Sequence, residues 1–392
     1  MLTALTLLVV AAPAAHALDR SALRASLSRQ MTLAGPFAGA YVRDLDTGET
    51  LYARKETVPR PPASVEKLYT TSTALLRFGP EERLRTQVLA TGAIDELGVW
   101  RGDLYLHGAG DPTFGQGQIA ELAAALAARG IVRVAGSVLG DESLFDGLRG
   151  SARTGFAYDR DIGGVLSAVS VANGFSRDGA PAREAARRLA KALRAIDVGV
   201  DGPSVAGVAP PEAQELAAAL SPPIAELVRQ INVPSDNFDA EMLLKGLGAR
   251  FAGAGTTPAG GAVVRAQLAA FGVAPQIVDG SGLSRANRTS PRQVVLLLDQ
   301  MRDQPVGPAF EASLAVAGRT GTIRRRMRGT PAQDRCRVKT GTLRADSTLA
   351  GVCTTTAGRT VGFAFLMSTR RISRAHHLQD AMTAAIATYD GS

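Results

Sequence analysis

The sequence predicts a mixed α/β (α+β) fold of two compact units, and three observations predict it. The chain is 392 residues long, too long for one average domain and short for three, with the 45% hydrophobic and 20% charged residues of an ordinary globular protein. From about Glu82 to Val208 the texture changes to short strand-like runs separated by Gly, Pro and Asp, which marks a separate module over 82–208. On either side of it, over 18–81 and 209–392, long helical patterns alternate with a strand hairpin and three closing strands.

Residues Met1 to Ala17 carry no charge, hold an apolar run from Leu5 to Ala12 broken only by Thr6, and end in Ala15-His16-Ala17. That small-x-small ending predicts a signal peptide over 1–17, cleaved after Ala17, and hence an exported protein, periplasmic or extracellular. The apolar stretch is well under the ~20 residues of a spanning helix, so no transmembrane helix is expected in the mature chain. Asp19 to Gln30 follows with helical spacing, Leu23, Leu27 and Met31 on one side. Phe37 to Asp44 alternates like a strand, Asp46-Thr47-Gly48 signals a turn, and Thr50 to Arg54 returns as its hairpin partner. A helix is expected from about Ala63 to Phe78, where Gly79-Pro80 punctuates it.

Within the module the strand-like runs are Thr86 to Ala90, Gly102 to His107, Val132 to Leu139 and Val165 to Val171, with helices near Ile119 to Arg129 and Ala182 to Ile196. Helices then run over Pro222 to Val233, Phe238 to Phe251, Pro258 to Phe271 and Pro291 to Asp303. Strands at Arg335 to Lys339, Thr348 to Thr355 and Thr360 to Ser368 precede an amphipathic helix over Ser373 to Tyr389. Cys336 and Cys353 are the two cysteines, and in an oxidising compartment they either close a disulfide or stay as buried thiols.

The net charge of +8 comes with arginine far in excess of lysine and with abundant alanine, a pattern of codon bias more than of a binding surface. The densest basic run, Arg324 to Arg326 with Arg328, reads as a solvated face, with a substrate role left open by its place before the third motif below. No aromatics interleave it, which sets nucleic acid aside as a partner. Histidine occurs only at 16, 107, 376 and 377, and no G-x-S-x-G or H-E-x-x-H string is present. A Ser-His-Asp triad or a zinc hydrolase has little to build on, and no cofactor or metal is expected.

Three short motifs occur in order: Ser64-Val65-Glu66-Lys67, Ser235-Asp236-Asn237 and Lys339-Thr340-Gly341. Each is weak alone, but the chain has five lysines and four asparagines, and two of the lysines and one asparagine fall on motif positions. Residues three apart on a helix share a face, so the Ser64 hydroxyl and Lys67 amine can meet. Serine needs a base, and lysine can serve when desolvation and a neighbouring cation, here Lys339, depress its pKa. Ser235 can relay a proton to a leaving amine while Asn237 holds Lys67 and a substrate amide; capping the next helix is compatible with both. On the third strand Lys339 and Thr340 can hold a terminal carboxylate. Gly341 lets a ligand approach the backbone, and the Thr342 N–H can complete an oxyanion hole with that of Ser64.

With these motifs the chain resembles the class C low-molecular-mass penicillin-binding proteins, the D-alanyl-D-alanine carboxypeptidase/endopeptidase family. Leu104-Tyr-Leu-His-Gly-Ala-Gly-Asp-Pro112, Gly136 to Asp141, Asp239 to Met242, Asp279 to Arg285 and Gly321-Thr322 extend the likeness over nearly the whole chain. The resemblance implies a serine β-lactamase/transpeptidase-like domain, its central antiparallel sheet between helix layers, interrupted after the first motif by the module. It further implies an acyl-enzyme on Ser64, with peptidoglycan stem peptides as substrates and β-lactams as mimics. A β-lactamase, and a non-catalytic wall-binding protein of the same fold, are the competing readings; intact Ser64, Lys67 and Lys339 speak against the latter. The first two closing strands are expected to form a hairpin around Arg344 to Ser347, which would bring Cys336 and Cys353 together and favours the disulfide.

Overall fold

The protein is described by a computed structural model covering residues 17–176 and 178–392; apart from Ala17, the expected signal segment lies outside the described residues. The larger sheet has six antiparallel strands in the spatial order Ala315–Val316, Cys336–Leu343, Asp346–Thr354, Thr360–Ser368, Ala38–Asp44, Thr50–Arg54. Both of its faces are covered, which is why Thr360–Ser368 reads as a continuous apolar run. Val361, Phe363, Phe365 and Met367 point into a core shared with the helices Arg20–Ala34 and Ile372–Ala387. Ala364 and Leu366 point the other way, into the core that includes the helix Pro291–Arg302 packed on this strand.

The first helix behaves as its sequence predicts: Asp19 caps it by accepting from the Ala22 N–H at 2.7 Å, and Leu23, Leu27 and Met31 are fully buried. The expected helix from Ala63 divides in two. Ala63–Glu66 is a 3-10 turn and Lys67–Phe78 the α-helix proper, ended by Gly79 at φ +89°. Cys336–Leu343 and Asp346–Thr354 form the expected hairpin, Cys336 faces Cys353 across it, and the two are joined in a disulfide.

The inserted segment builds a five-stranded sheet in the order Ser204–Ala206, Val138–Asp141, Leu104–His107, Arg83–Ala90, Gln214–Pro223, with a smaller four-stranded sheet beside it. The helices Gln116–Ala128 and Pro181–Arg194 pack on it through Leu122, Leu126, Leu189 and Leu193. Three expectations need correction. The strand Gln214–Pro223 pairs with Arg83–Ala90, so this sheet closes beyond 208. The run Val132 to Leu139 is two strands in different sheets, because Gly136 lies where a Cβ would meet the Gly102 carbonyl oxygen at 2.2 Å. Val165 to Val171 is not a strand: Val165 N–H donates to Asn173 O at 2.8 Å and the Ser170 hydroxyl to Ser167 O at 2.9 Å, which folds the segment back on itself.

That irregular segment places the inserted unit against the larger one. Phe145, Ile162, Leu166 and Ala168 pack on Phe238 and Met242 of the helix Asn237–Ala252, with Leu283 beside them. The buried Lys245 of the same helix pairs with Asp146 and donates to Leu148 O at 2.9 Å. Among the described residues no helix is long and apolar enough to cross a membrane.

Candidate active site

The three motifs meet where the large sheet lies against the helices on its inner face, and the line along which their side chains converge is called the cleft below. In a 3-10 turn residues i and i+3 eclipse one another, so Ser64 and Lys67 stand in line, and the Lys67 Nζ donates to Ser64 Oγ at 3.0 Å. The same ammonium donates to Asn237 Oδ1 at 2.6 Å and to the Ser281 carbonyl at 2.7 Å. Lys67 and Asn237 are 170 residues apart in sequence. Lys67 is fully buried, whereas Ser64 keeps partial access to solvent.

Burial holds the Lys67 pKa down to about 8, against the opposing pull of Glu241, Asp279, Asp236 and Glu66. This revises the expectation that Lys339 does the depressing. The repulsion between the two lysines falls on Lys339, which burial and then the Lys67 charge push well below the ordinary lysine range. The Lys339 Nζ donates to Ser235 Oγ at 2.7 Å and to Thr340 O at 3.0 Å. Two buried amines therefore flank the cleft, each hydrogen-bonded to one serine hydroxyl.

The second motif divides its labour. Asp236 caps the helix Asn237–Ala252, accepting from Asp239 N–H at 2.9 Å, while Ser235 at φ +69° turns the chain. Asn237 opens the helix with its amide spread across the cleft: Oδ1 takes the Lys67 bond and Nδ2 donates to Asp161 O of the inserted segment at 2.7 Å. The capping role and the cleft role thus belong to different residues of the motif.

On the third strand, Ala315–Val316 pairs only with Arg337 and Val338, so among the described residues no strand pairs with that edge from Lys339 to Leu343. Thr340 Oγ1 and Thr322 Oγ1 are 2.6 Å apart, and Thr342 is exposed. The backbone contact that demands glycine at 341 is the protein's own. A Cβ there would meet Pro62 O at 2.8 Å and Ser64 N at 2.9 Å, so the strand lies directly against the turn that carries Ser64. Of the basic run before this strand, Arg326 is committed to Asp380 and the last helix, not to the cleft.

One feature of the site was quoted in the sequence only as part of a likeness, with no role assigned. The loop Asp279 to Ser284 supplies the Ser281 carbonyl to Lys67 and is pinned from behind: Glu241 accepts from Gly280 N–H at 3.1 Å and Ser281 N–H at 2.9 Å. Asp279 accepts from Gly282 N–H at 2.8 Å and Ser284 N–H at 2.7 Å. Three glycine or serine neighbours after an aspartate signalled a tight loop, but nothing local revealed which lysine it serves. Among the described residues no group of three or more His, Cys, Asp or Glu is arranged to hold a metal ion. The two serine–lysine pairs can activate a serine hydroxyl and protonate a leaving group.

A sequence model of the D-Ala-D-Ala carboxypeptidase 3 (S13) family matches residues 20–159 and 161–389. The D-alanyl-D-alanine carboxypeptidase of Actinomadura sp. (strain R39) is 30% identical over 92% of this chain and 82% of its own. The crystal structure of penicillin binding protein 4 from Haemophilus influenzae has the same fold, with a TM-score of 0.81 at 21% identity, covering 93% of this chain and 99% of that one. The same Haemophilus influenzae protein in complex with a β-lactam superposes with a TM-score of 0.78 at 21% identity over the same shares of the two chains.

Proposed function

We propose, from the premise that this chain belongs to the D-Ala-D-Ala carboxypeptidase 3 (S13) family, that Ser64 is the nucleophile of a serine-type D-Ala-D-Ala carboxypeptidase/endopeptidase and Lys67 its base. The observation that carries the assignment is the Lys67 Nζ held at once by Ser64 Oγ, Asn237 Oδ1 and the Ser281 carbonyl. A neutral amine in that position keeps its two N–H bonds on Asn237 and Ser281 and turns its lone pair to the Ser64 hydroxyl.

In this reading Ser64 Oγ attacks the carbonyl of the penultimate D-alanine and its proton passes to Lys67. The developing oxyanion is met by the backbone N–H groups of Ser64 and Thr342. The C–N bond then breaks, and the leaving D-alanine amine takes a proton through Ser235, whose oxygen is already held by Lys339. Water attacks the resulting ester, the same groups return the protons, and Ser64 is regenerated. The bare edge from Lys339 to Leu343 receives the extended peptide, with Thr340 and Gly341 lining it and Lys339 and Thr340 near its terminal carboxylate.

The substrates in this reading are peptidoglycan stem peptides ending in D-Ala-D-Ala, β-lactams acylate the same serine, and the protein works outside the cytoplasm at the wall. The test is D-alanine release from a synthetic peptide ending in D-Ala-D-Ala. Release by the wild type and its loss by ~10³-fold or more in Ser64→Ala is the expected result; equal release by the two proteins would sink the assignment.

A further inference from the structure

The inserted segment meets the cleft at Asp161, and that residue is fastened on every side. Its backbone N–H donates to Asp159 Oδ1 at 3.0 Å, and its carbonyl accepts from Asn237 Nδ2 at 2.7 Å. Its own carboxylate is paired with Arg153 at 2.8 Å. Behind it the Asp159 carboxylate, only 2% exposed, accepts from the Ser151 hydroxyl and from Arg153, whose Nε lies 3.1 Å from Oδ2. The Ile162 N–H returns to Asp159 O at 3.0 Å, which closes the turn. A Cβ on Gly164 would meet the Phe238 ring at 2.4 Å, so the segment is pressed against the residue next to Asn237.

A side-chain amide can face either way until its neighbours choose. Here Lys67 Nζ donates to Asn237 Oδ1 at 2.6 Å while Asp161 O takes one N–H of Nδ2. Turning the amide over would set its N–H groups against the ammonium and its oxygen against a carbonyl, two repulsions in place of two hydrogen bonds. The second Nδ2 N–H has no partner among the described residues, and it is the donor left for a substrate amide.

We propose that Asp159 is a positioning residue of the acyl-transfer step: by fixing the Asp161 peptide it holds Asn237 ready for the amide carbonyl on the acyl side of the substrate. The inference rests on the reading of Ser64 as nucleophile and of Asn237 as part of its site. Asp159 contributes no atom to the reacting centre. It acts through one peptide unit, whose N–H it binds and whose neighbouring carbonyl sets the Asn237 amide, so that this donor is ordered before the substrate arrives.

The experiment compares wild type with Asp159→Ala, using two penicillins that differ at one group. Benzylpenicillin carries an amide on its acyl side, where 6-aminopenicillanic acid has a free amine. The rate constant for acylation of Ser64 by each is followed by the mass of the protein, with thermal melting to establish that both proteins are folded. Asp159→Ala is expected to lose ~10-fold or more of the benzylpenicillin rate, while its rate with 6-aminopenicillanic acid stays within ~2-fold of wild type. Damage to the fold of the cleft would lower both rates together.

A fall of equal size with the two penicillins overturns the proposal, and so does an unchanged benzylpenicillin rate. If Asp159→Ala does not fold, Arg153→Met takes its place with the same expected outcomes, since it removes the bonds to both Asp159 and Asp161. Absence of any adduct on wild-type Ser64 would remove the assignment of the nucleophile and the proposal with it, a failure read from the wild type alone.

Discussion

Gly341 and Lys67 show how single residues carry the site. Because the strand lies against the Ser64 turn, Gly341→Ala forces the turn away or the strand outward, and overpacking of this kind costs ~1–3 kcal/mol. A displacement of the nucleophile by a fraction of an ångström should also slow acylation ~10-fold or more, read by urea denaturation and penicillin labelling side by side. Wild-type values in both would contradict the contact. Lys67 makes a pH prediction with a definite sign: with its pKa held at about 8, the free-base fraction rises through that value, so acylation should speed up between pH 7 and pH 9. A rate falling over that interval would exclude Lys67 as the base. The three motifs stood out in the sequence because lysine and asparagine, which anchor them, are scarce in this chain. The buried carboxyls behind them did not, since Glu66, Glu241 and Asp279 are ordinary residues in helical or loop contexts until folding sets them around one amine.

Elements with strong periodicity and clear punctuation were read close to their observed limits. Arg20–Ala34 has its aspartate cap and Pro291–Arg302 opens on Ser290 and proline. What was missed lacked a local signal. Gln214–Pro223 is alanine-rich and ends in two prolines, a poor strand by composition, and it forms because Arg83–Ala90 offers it an edge. Val165 to Val171 has strand composition but no partner, and its serines turn to nearby carbonyls instead. At this scale the hairpin disulfide gives a test. Cys336 and Cys353 are 17 residues apart, a loop whose closure is worth ~3 kcal/mol. The double substitution Cys336→Ala and Cys353→Ala should lower stability by about that amount and leave the acylation rate of the folded enzyme within ~2-fold. A melting temperature unchanged by the double substitution would show that the bond contributes nothing.

Across the whole molecule, the cleft is assembled from two units, and the join between them is both apolar and charged. Phe145, Ile162, Leu166 and Ala168 cover the helix that presents Asn237, while Lys245 lies buried on Asp146. Removing one partner of such a pair leaves an uncompensated buried charge, so Asp146→Ala should cost ~3–5 kcal/mol, whereas Asp146→Leu with Lys245→Met should recover most of it. Denaturant titration of the single and double variants checks this, and a mild single variant would mean the ion pair does not hold the units together. The sequence indicated that a second unit interrupts the first but not that an irregular stretch of it reaches Asn237, because that contact is a backbone carbonyl, Asp161 O, which no residue type announces. The most direct test of the account is the mass of the protein after reaction with benzylpenicillin, followed by mapping of the modified peptide. One penicilloyl group on the peptide containing Ser64, lost in Ser64→Ala, is the predicted result; an adduct on another residue, or none, would contradict it.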